Sequence, residues 1–505
     1  MKLSIVRKLI DTLNYEKILY CHWKSNQHVS DAFTGIDDID MLIDQDDILN
    51  LNIVLNRLGF KRFRLPEKRS YIGIEDYLGF DKEEGVFVHL HLHYQLTLGE
   101  KFLKGYQLPY SKSILNRRIY DANNNIYIAS HEDEMWLLLV RLAMKIRYRD
   151  LLKLILNKDI FGHLSRTEYK WLQDRIDKSL YKKITIELFG KDFGLKLVSC
   201  LKENLEFENL YLLNKNIKKK FRSFHSYSFF GRNITRWMRE YFRICQEFHN
   251  RVHKVAKIYR RTPVSGGKII AFLGPDGAGK TTIIDGVFKK LRSVMDVNHF
   301  YLGSGDGKSS LLRKPLKALY SILIKNRILD RKSKRVDSNG KTFRVDEHKG
   351  AGFVRKWGQV PWTFTLARER ESKLIKARKF RNKGYIVITD RYPQTHVIDM
   401  ADGPRYYLNL NIKNTFLNRL LVYGEKRCFE VANLLKPDVV IILKVSSDEA
   451  FKRKPEEIDI KSHKALMDKI LDLDFGDDTK RFIIDADQSI KKVIIDATSS
   501  VWDCL

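Results

Sequence analysis

Apolar positions along the chain fall into three textures. Over residues 1 to about 120, short stretches of helical spacing alternate with β-rich runs, among them Ile39–Ile43 and Val86–Leu96. From about 130 to 260 the apolar positions recur every three or four residues, as in Glu134–Leu156, which predicts helices. Beyond Thr262-Pro-Val-Ser-Gly-Gly267, a linker-like stretch, come four nearly continuous apolar runs: Lys268–Leu273, His299–Leu302, Tyr385–Thr389 and Val439–Val445. Runs of this kind, separated by helix-length segments, predict buried parallel strands with helices on both faces of the sheet. The expectation is an α/β domain over 263–505, behind an α+β domain over 1–120 and a helical connector over 121–262.

Composition narrows the classes. The chain has 505 residues, 44% of them hydrophobic and 30% charged, which is a globular composition. No window approaches the roughly 18 uninterrupted apolar residues of a membrane span. The first ten residues have their apolar run cut by Arg7 and Lys8, so no signal peptide is expected. Five scattered cysteines without a C-x-x-C pair suit a reducing compartment, and the expected location is cytoplasmic. The net charge of +30 points to a polyanionic neighbour without choosing among nucleic acid, acidic membrane and phosphorylated substrates.

The sharpest chemical signal is Gly274-Pro275-Asp276-Gly277-Ala278-Gly279-Lys280-Thr281, which fits G-x-x-x-x-G-K-[ST] between a predicted strand and a predicted helix that begins near Thr282. Glycines in such a loop turn backbone N–H groups inward around phosphates at the positive end of the helix dipole. Lys280 is expected to reach the β- and γ-phosphates of ATP, and the Thr281 hydroxyl to sit on Mg²⁺. A second predicted strand ends in Asp390-Arg391-Tyr392. Ligands of open α/β sheets sit beyond the strand C-termini. That places Asp390 to hold Mg²⁺ and Arg391 to grip a substrate phosphate in bidentate fashion.

Taken in order, Gly274–Thr282, Asp390-Arg391-Tyr392, Lys436–Leu443 and Ile483–Ile490 resemble thymidylate kinase and its relatives over nearly all of 266–505. The resemblance implies a P-loop NTPase fold and phosphoryl transfer from ATP to a nucleoside monophosphate or related acceptor. It implies that Asp276 contacts the acceptor sugar and that Arg370, with Arg368 as the rival, binds the acceptor beside Arg391 and Tyr392. It also implies that Arg453, in Phe451-Lys-Arg-Lys-Pro455, belongs to a lid. The acceptor half departs from the family: its REPG-like motif is replaced by Tyr301–Ser310, and its serine-rich segment by Pro393-Gln-Thr-His396 and Asp402-Gly-Pro404. Two alternatives therefore stay open, a kinase acting on a sugar or glycan acceptor and a nucleotide-binding protein without turnover.

Near the N-terminus, Asp38 and Asp40 stand at i and i+2 on a short predicted strand, which points both to one face. Paired acids of this kind hold divalent metals in two-metal nucleotidyl transfer. The pattern resembles the D-x-D strand of nucleotidyltransferase-like domains, with His22-Trp-Lys-Ser-Asn26 where those have a Gly-Ser turn. The strand expected to bring the third carboxylate reads Phe87-Val-His89-Leu-His91-Leu-His93, with histidines instead. Both domains together are similar to bacterial thymidylate-kinase-like proteins associated with surface-polysaccharide synthesis.

The connector holds a compact share of the charge. Lys215–Arg261 carries fourteen Lys and Arg against Glu240 and Glu247. Arg232, Arg236, Arg239 and Arg243 recur at helical spacing opposite Ile234, Met238, Tyr241 and Phe242. This predicts a basic amphipathic helix, either a solvated face of a packed helix or a surface for an anionic membrane at its inner face. Nucleic acid is the weaker expectation, since no nucleic-acid-binding motif accompanies the charge.

Overall fold

The computed structural model describes residues 2–67, 69–100, 102–147, 161–252, 261–303, 335–336, 342–343, 351–398, 400–409, 415–456 and 458–505. Two compact units form, Met1–Val264 and Ser265–Leu505. The stretches expected as an N-terminal domain and a connector thus lie within one unit.

The strands of the first unit are β1 (Tyr20–His22), β2 (Ile39–Ile43), β3 (Lys61–Arg64), β4 (Ile74–Asp81), β5 (Val86–His93), β6 (Leu96–Glu100), β7 (Leu103–Leu108), β8 (Ile119–Asp121), β9 (Ile126–Ile128) and β10 (Thr262–Pro263). Eight of them form one mixed sheet, ordered β10-β3-β4-β5-β2-β1-β9-β8, while β6 and β7 pair as a hairpin. β2 and β5 are parallel, and β4 runs antiparallel to β5. The helix Ser4–Tyr15 buries Val6, Leu9, Ile10 and Leu13 against this sheet.

The first long helix of the expected connector runs His131–Lys145 and ends sooner than its periodicity predicted. Ile146 is extended, and the Asn214 side chain donates to the Ala143 carbonyl at 2.6 Å, a partner that a continuing helix would supply from its own backbone. Residues 148–160, the rest of the expected helix, lie outside the described residues. Asp133, fully buried, accepts from Arg117 Nε (2.9 Å) and Nη2 (2.8 Å), from Ser130 Oγ (3.1 Å) and from Trp136 Nε1 (2.8 Å).

The basic helix spans Phe229–Val252, but its faces are the reverse of the expected arrangement. Arg236 pairs with Glu100 at 2.7 Å and Arg232 with the same carboxylate at 4.0 Å. Arg239 is buried, donating to the Glu67 and Ser70 carbonyls, and Arg243 lies over the Phe102 ring at 4.9 Å. Ile234, Trp237, Met238, Tyr241, Ile244 and Phe248 are exposed instead, Trp237 and Tyr241 at 70% each. Periodicity showed two faces and charge labelled the arginines as outer. Acceptors contributed by 67–100 and the Phe102 ring turn them inward. Lys254, Lys257 and Arg260 lie outside the described residues. No helix among the described residues is long and apolar enough to cross a membrane.

The second unit has the expected α/β fold. Its strands are β11 (Lys268–Leu273), β12 (Val297–Tyr301), a small hairpin of β13 (Arg335–Val336) and β14 (Thr342–Phe343), then β15 (Ile386–Asp390), β16 (Val439–Lys444) and β17 (Lys480–Asp485). Five make a wholly parallel sheet, β12-β15-β11-β16-β17. Ile269, Ala271, Val387, Val440 and Ile442 fill the core on one side of it. The apolar runs announced the three inner strands and the edge strand β12; β17, at the other edge, was not among them, because it mixes Lys480, Arg481 and Asp485 with partly exposed apolar residues.

Replacing Asp133 by Ala strands the Arg117 guanidinium and the Trp136 N–H in the helical core. The expected loss is about 3–5 kcal/mol, read as a lower urea midpoint for the first unit.

Candidate functional site

The C-terminal edge of the five-stranded sheet brings the phosphate loop and the Asp-Arg-Tyr strand end together. β11 and β15 are paired with Phe272 opposite Asp390, so both strands stop at the same level. The Arg391 amide donates to the Phe272 carbonyl (3.0 Å), and the Leu302 amide to the Asp390 carbonyl (2.9 Å).

From β11 the chain turns through Gly274–Gly279 into the helix Lys280–Arg292. Gly277 has φ +88° and Gly279 φ +73°. A Cβ on Gly277 would also lie 2.8 Å from Ile458 Cδ1 and 3.0 Å from Ala450 Cβ, so geometry and space both demand glycine there. Lys280 is 8% exposed, and its ammonium donates to the Gly274 and Pro275 carbonyls at 2.9 and 2.7 Å. Burial lowers its pKa, and the Arg391 charge lowers it further. Thr281 and Thr282 are exposed in the first turn of the helix.

Asp390 is 4% exposed, and its Oδ1 has no hydrogen-bond partner among the described residues. Burial raises its pKa, an effect that Lys280, Arg391 and His299 only partly offset. A buried carboxylate oxygen left open beside a phosphate loop suits a divalent cation, so the donor set fits Mg²⁺ held by Asp390 and Thr281.

Arg391 adopts φ +69°, a left-handed conformation uncommon for a residue with a Cβ. Its Nη2 contacts Asp276 Oδ1 at 3.1 Å and its Nη1 contacts Asp402 Oδ2 at 3.3 Å. Asp402 Oδ1 in turn meets Arg370 Nη2 at 3.2 Å, and Arg370 Nε donates to the Leu302 carbonyl at 2.7 Å. Burial alone would raise the Asp276 pKa, but Lys280 and Arg391 outweigh it and hold the carboxyl below its usual range. These charges border a pocket of about 250 Å³, lined by Trp362, Arg370, Arg391, Asp402, Tyr406 and Phe429 among others.

Of the two rival arginines, Arg370 is in this cluster. The Arg368 side chain is 68% exposed and pairs with Glu371. Tyr392 does not reach the pocket and is corrected to a core residue: it is 1% exposed, its hydroxyl donates to the Leu435 carbonyl and its ring meets Phe475 edge-on. Arg453 ends the helix Ser447–Arg453, donating to the Gly277 carbonyl (3.3 Å) and the Ala486 carbonyl (2.9 Å), and so braces the phosphate loop. Asp402 had no assigned role in the sequence reading; an acid two residues before a proline in a loop gave no sign that it would link two arginines. Residues 304–310 of the segment that replaces the family's acceptor motif lie outside the described residues.

In the first unit, Asp40 stands opposite His91 in the β2–β5 register, and Asp38, one residue before β2, meets His89 of the same β5 face. His89 contacts Asp38 through Nδ1 and Asp76 through Nε2, both at 2.7 Å. Asp76, on β4, is a further carboxylate beside these histidines that sequence reasoning missed. It lies in a different strand from the one searched, within Gly73-Ile-Glu-Asp-Tyr77, where no spacing links it to the first pair.

No family model matches the chain. It is 25% identical over 206 residues to YghR, an uncharacterized ATP-binding protein of Escherichia coli (strain K12), an alignment covering 40% of this chain and 73% of that protein. It is 27% identical over 210 residues to YghS, another uncharacterized ATP-binding protein of that strain, covering 39% of this chain and 77% of that protein. Among solved structures, a deoxyadenosine kinase from M. mycoides with products dCMP and a flexible dCDP bound matches with a TM-score of 0.27 and 17% identity, over 46% of this chain and 98% of that one.

Removing the Asp402 carboxylate leaves Arg370 and Arg391 facing each other without their shared acceptor. Asp402→Ala is expected to destabilise the second unit by about 1–3 kcal/mol. Added inorganic phosphate should restore part of the loss in thermal melts by taking the carboxylate's place.

Proposed function

We propose that the second unit is an ATP- and Mg²⁺-dependent phosphotransferase. It passes the γ-phosphoryl group of ATP to a nucleoside monophosphate or a related phosphorylated acceptor. The observation that carries this reading is the convergence at one sheet edge of the Gly274–Thr281 loop, the open carboxylate oxygen of Asp390 and the Arg370–Asp402–Arg391 cluster. The resemblance of the motifs to thymidylate kinase supports it, as does sequence similarity to two proteins named as ATP-binding.

In this reading the loop amides and Lys280 bind the ATP phosphates. Lys280 then exchanges its two loop carbonyls for phosphate oxygens, a stronger charge-assisted contact. Asp390 and Thr281 hold Mg²⁺, which when bound neutralises phosphate charge. Arg391 and Arg370 exchange Asp402 for the acceptor phosphate, and Asp276 turns to an acceptor hydroxyl. Arg453 keeps its positive charge beside the loop while fixing the Gly277 carbonyl. The rate gain then comes from alignment and electrostatic stabilisation, without a covalent enzyme intermediate.

Labelled ATP is offered to the full chain with dTMP, other nucleoside monophosphates and glycan fragments in parallel. Transfer to a nucleotide is expected, and Lys280→Ala should reduce it by about a hundredfold to a thousandfold. Transfer to a glycan alone would replace the acceptor class. ATP binding with no transfer to any acceptor would overturn the phosphotransferase reading in favour of nucleotide binding.

A further inference from the structure

The aligned register of β2 and β5 sets Asp40 opposite His91, and alternation along β5 carries His93 to the same face. This group differs from its neighbours in one respect. His89 is saturated by Asp38 and Asp76, with Arg261 also 3.2 Å from Asp76. His93 is wholly buried, and neither of its ring nitrogens has a hydrogen-bond partner among the described residues. Its Nε2 lies 3.7 Å from Asp40 Oδ1, too long for a hydrogen bond, and His91 Nδ1 lies 3.3 Å from the same oxygen. One donor atom from each of Asp40, His91 and His93 falls within 4.8 Å of the others. Small side-chain rotations bring three such atoms to about 2.0–2.2 Å from one ion.

We propose that Asp40, His91 and His93 form a binding site for a divalent transition-metal ion in the first unit. Two imidazoles and one carboxylate select Zn²⁺, Mn²⁺ or Fe²⁺ over Mg²⁺ and Ca²⁺, which prefer oxygen ligands. His91 also lines a cavity of about 830 Å³, on whose wall Lys and Arg side chains, Lys104 and Lys145 among them, outnumber the carboxylates of Asp38, Glu67, Glu75, Asp76 and Glu100. An ion held by three protein atoms keeps at least one position for a ligand, and the excess of bases over acids on the wall favours an anionic one. Lys24 Nζ contacts Asp40 Oδ1 at 2.9 Å, so its ammonium competes with the ion for the carboxylate. Its side chain is 23% exposed, which leaves it room to swing aside. The site makes no use of the phosphate loop and is independent of the kinase reading.

The test is isothermal titration of the chelator-stripped full chain with Zn²⁺, in millimolar Mg²⁺ to fill oxygen-only sites, with Co²⁺ absorption as a second readout. One equivalent of Zn²⁺ is expected, together with Co²⁺ d–d bands. His91→Asn and His93→Gln should each lose that equivalent, while Lys24→Ala should bind at least several-fold more tightly. His91 is at the cavity wall, so His91→Asn keeps the test sound if the buried His93→Gln variant unfolds. Zn²⁺ binding that survives His91→Asn with unchanged stoichiometry would overturn the proposal. So would the absence of an equivalent in both the wild type and Lys24→Ala.

Discussion

A single backbone hydrogen bond, from the Arg391 amide to the Phe272 carbonyl, sets the geometry on which the second unit's chemistry depends. It fastens the end of β15 to the end of β11, so the acid of one strand and the phosphate loop of the other share a level. Arg391 itself is left-handed: its amide looks back into the sheet while its guanidinium turns toward Asp276 and Asp402. A β-register slip of one residue would invert both side chains and remove Asp390 from the loop altogether.

The two units handle buried charge differently. In the first, acids are matched closely: Asp133 by Arg117, Asp76 by His89 and Arg261, Glu100 by Arg236. In the second, matching is deliberately partial around the loop. Asp390 keeps one oxygen open, and Asp402 is shared between two arginines that a larger anion would engage more fully. Such incompletely satisfied groups cost stability where they stand, which is the usual mark of a site built to receive something.

Much of this was legible in the sequence where chemistry is local. The loop 274–281 and the inner strands carry their meaning in contiguous residues, since glycine spacing and continuous apolar runs both state a backbone requirement. The clusters assembled from distant segments were less readable. Asp402 and Asp76 joined their partners only through loop and strand placement, and Tyr392 looked functional by adjacency although, past the strand end and the left-handed Arg391, it is buried in the core. The helix Phe229–Val252 shows the same limit: periodicity separated two faces, but which face meets protein was decided by Glu100, Phe102 and the Glu67 and Ser70 carbonyls.

Lys280 gives the phosphate loop a further property. Its ammonium is seated on the Gly274 and Pro275 carbonyls and lies 3.6 Å from Asp276 Oδ1, so the lysine is tied to the loop itself. An incoming anion must outbid two carbonyls before it gains anything from the lysine. A ligand that engages the loop amides as well as the lysine would offset the loss of these contacts better than one that meets the lysine alone.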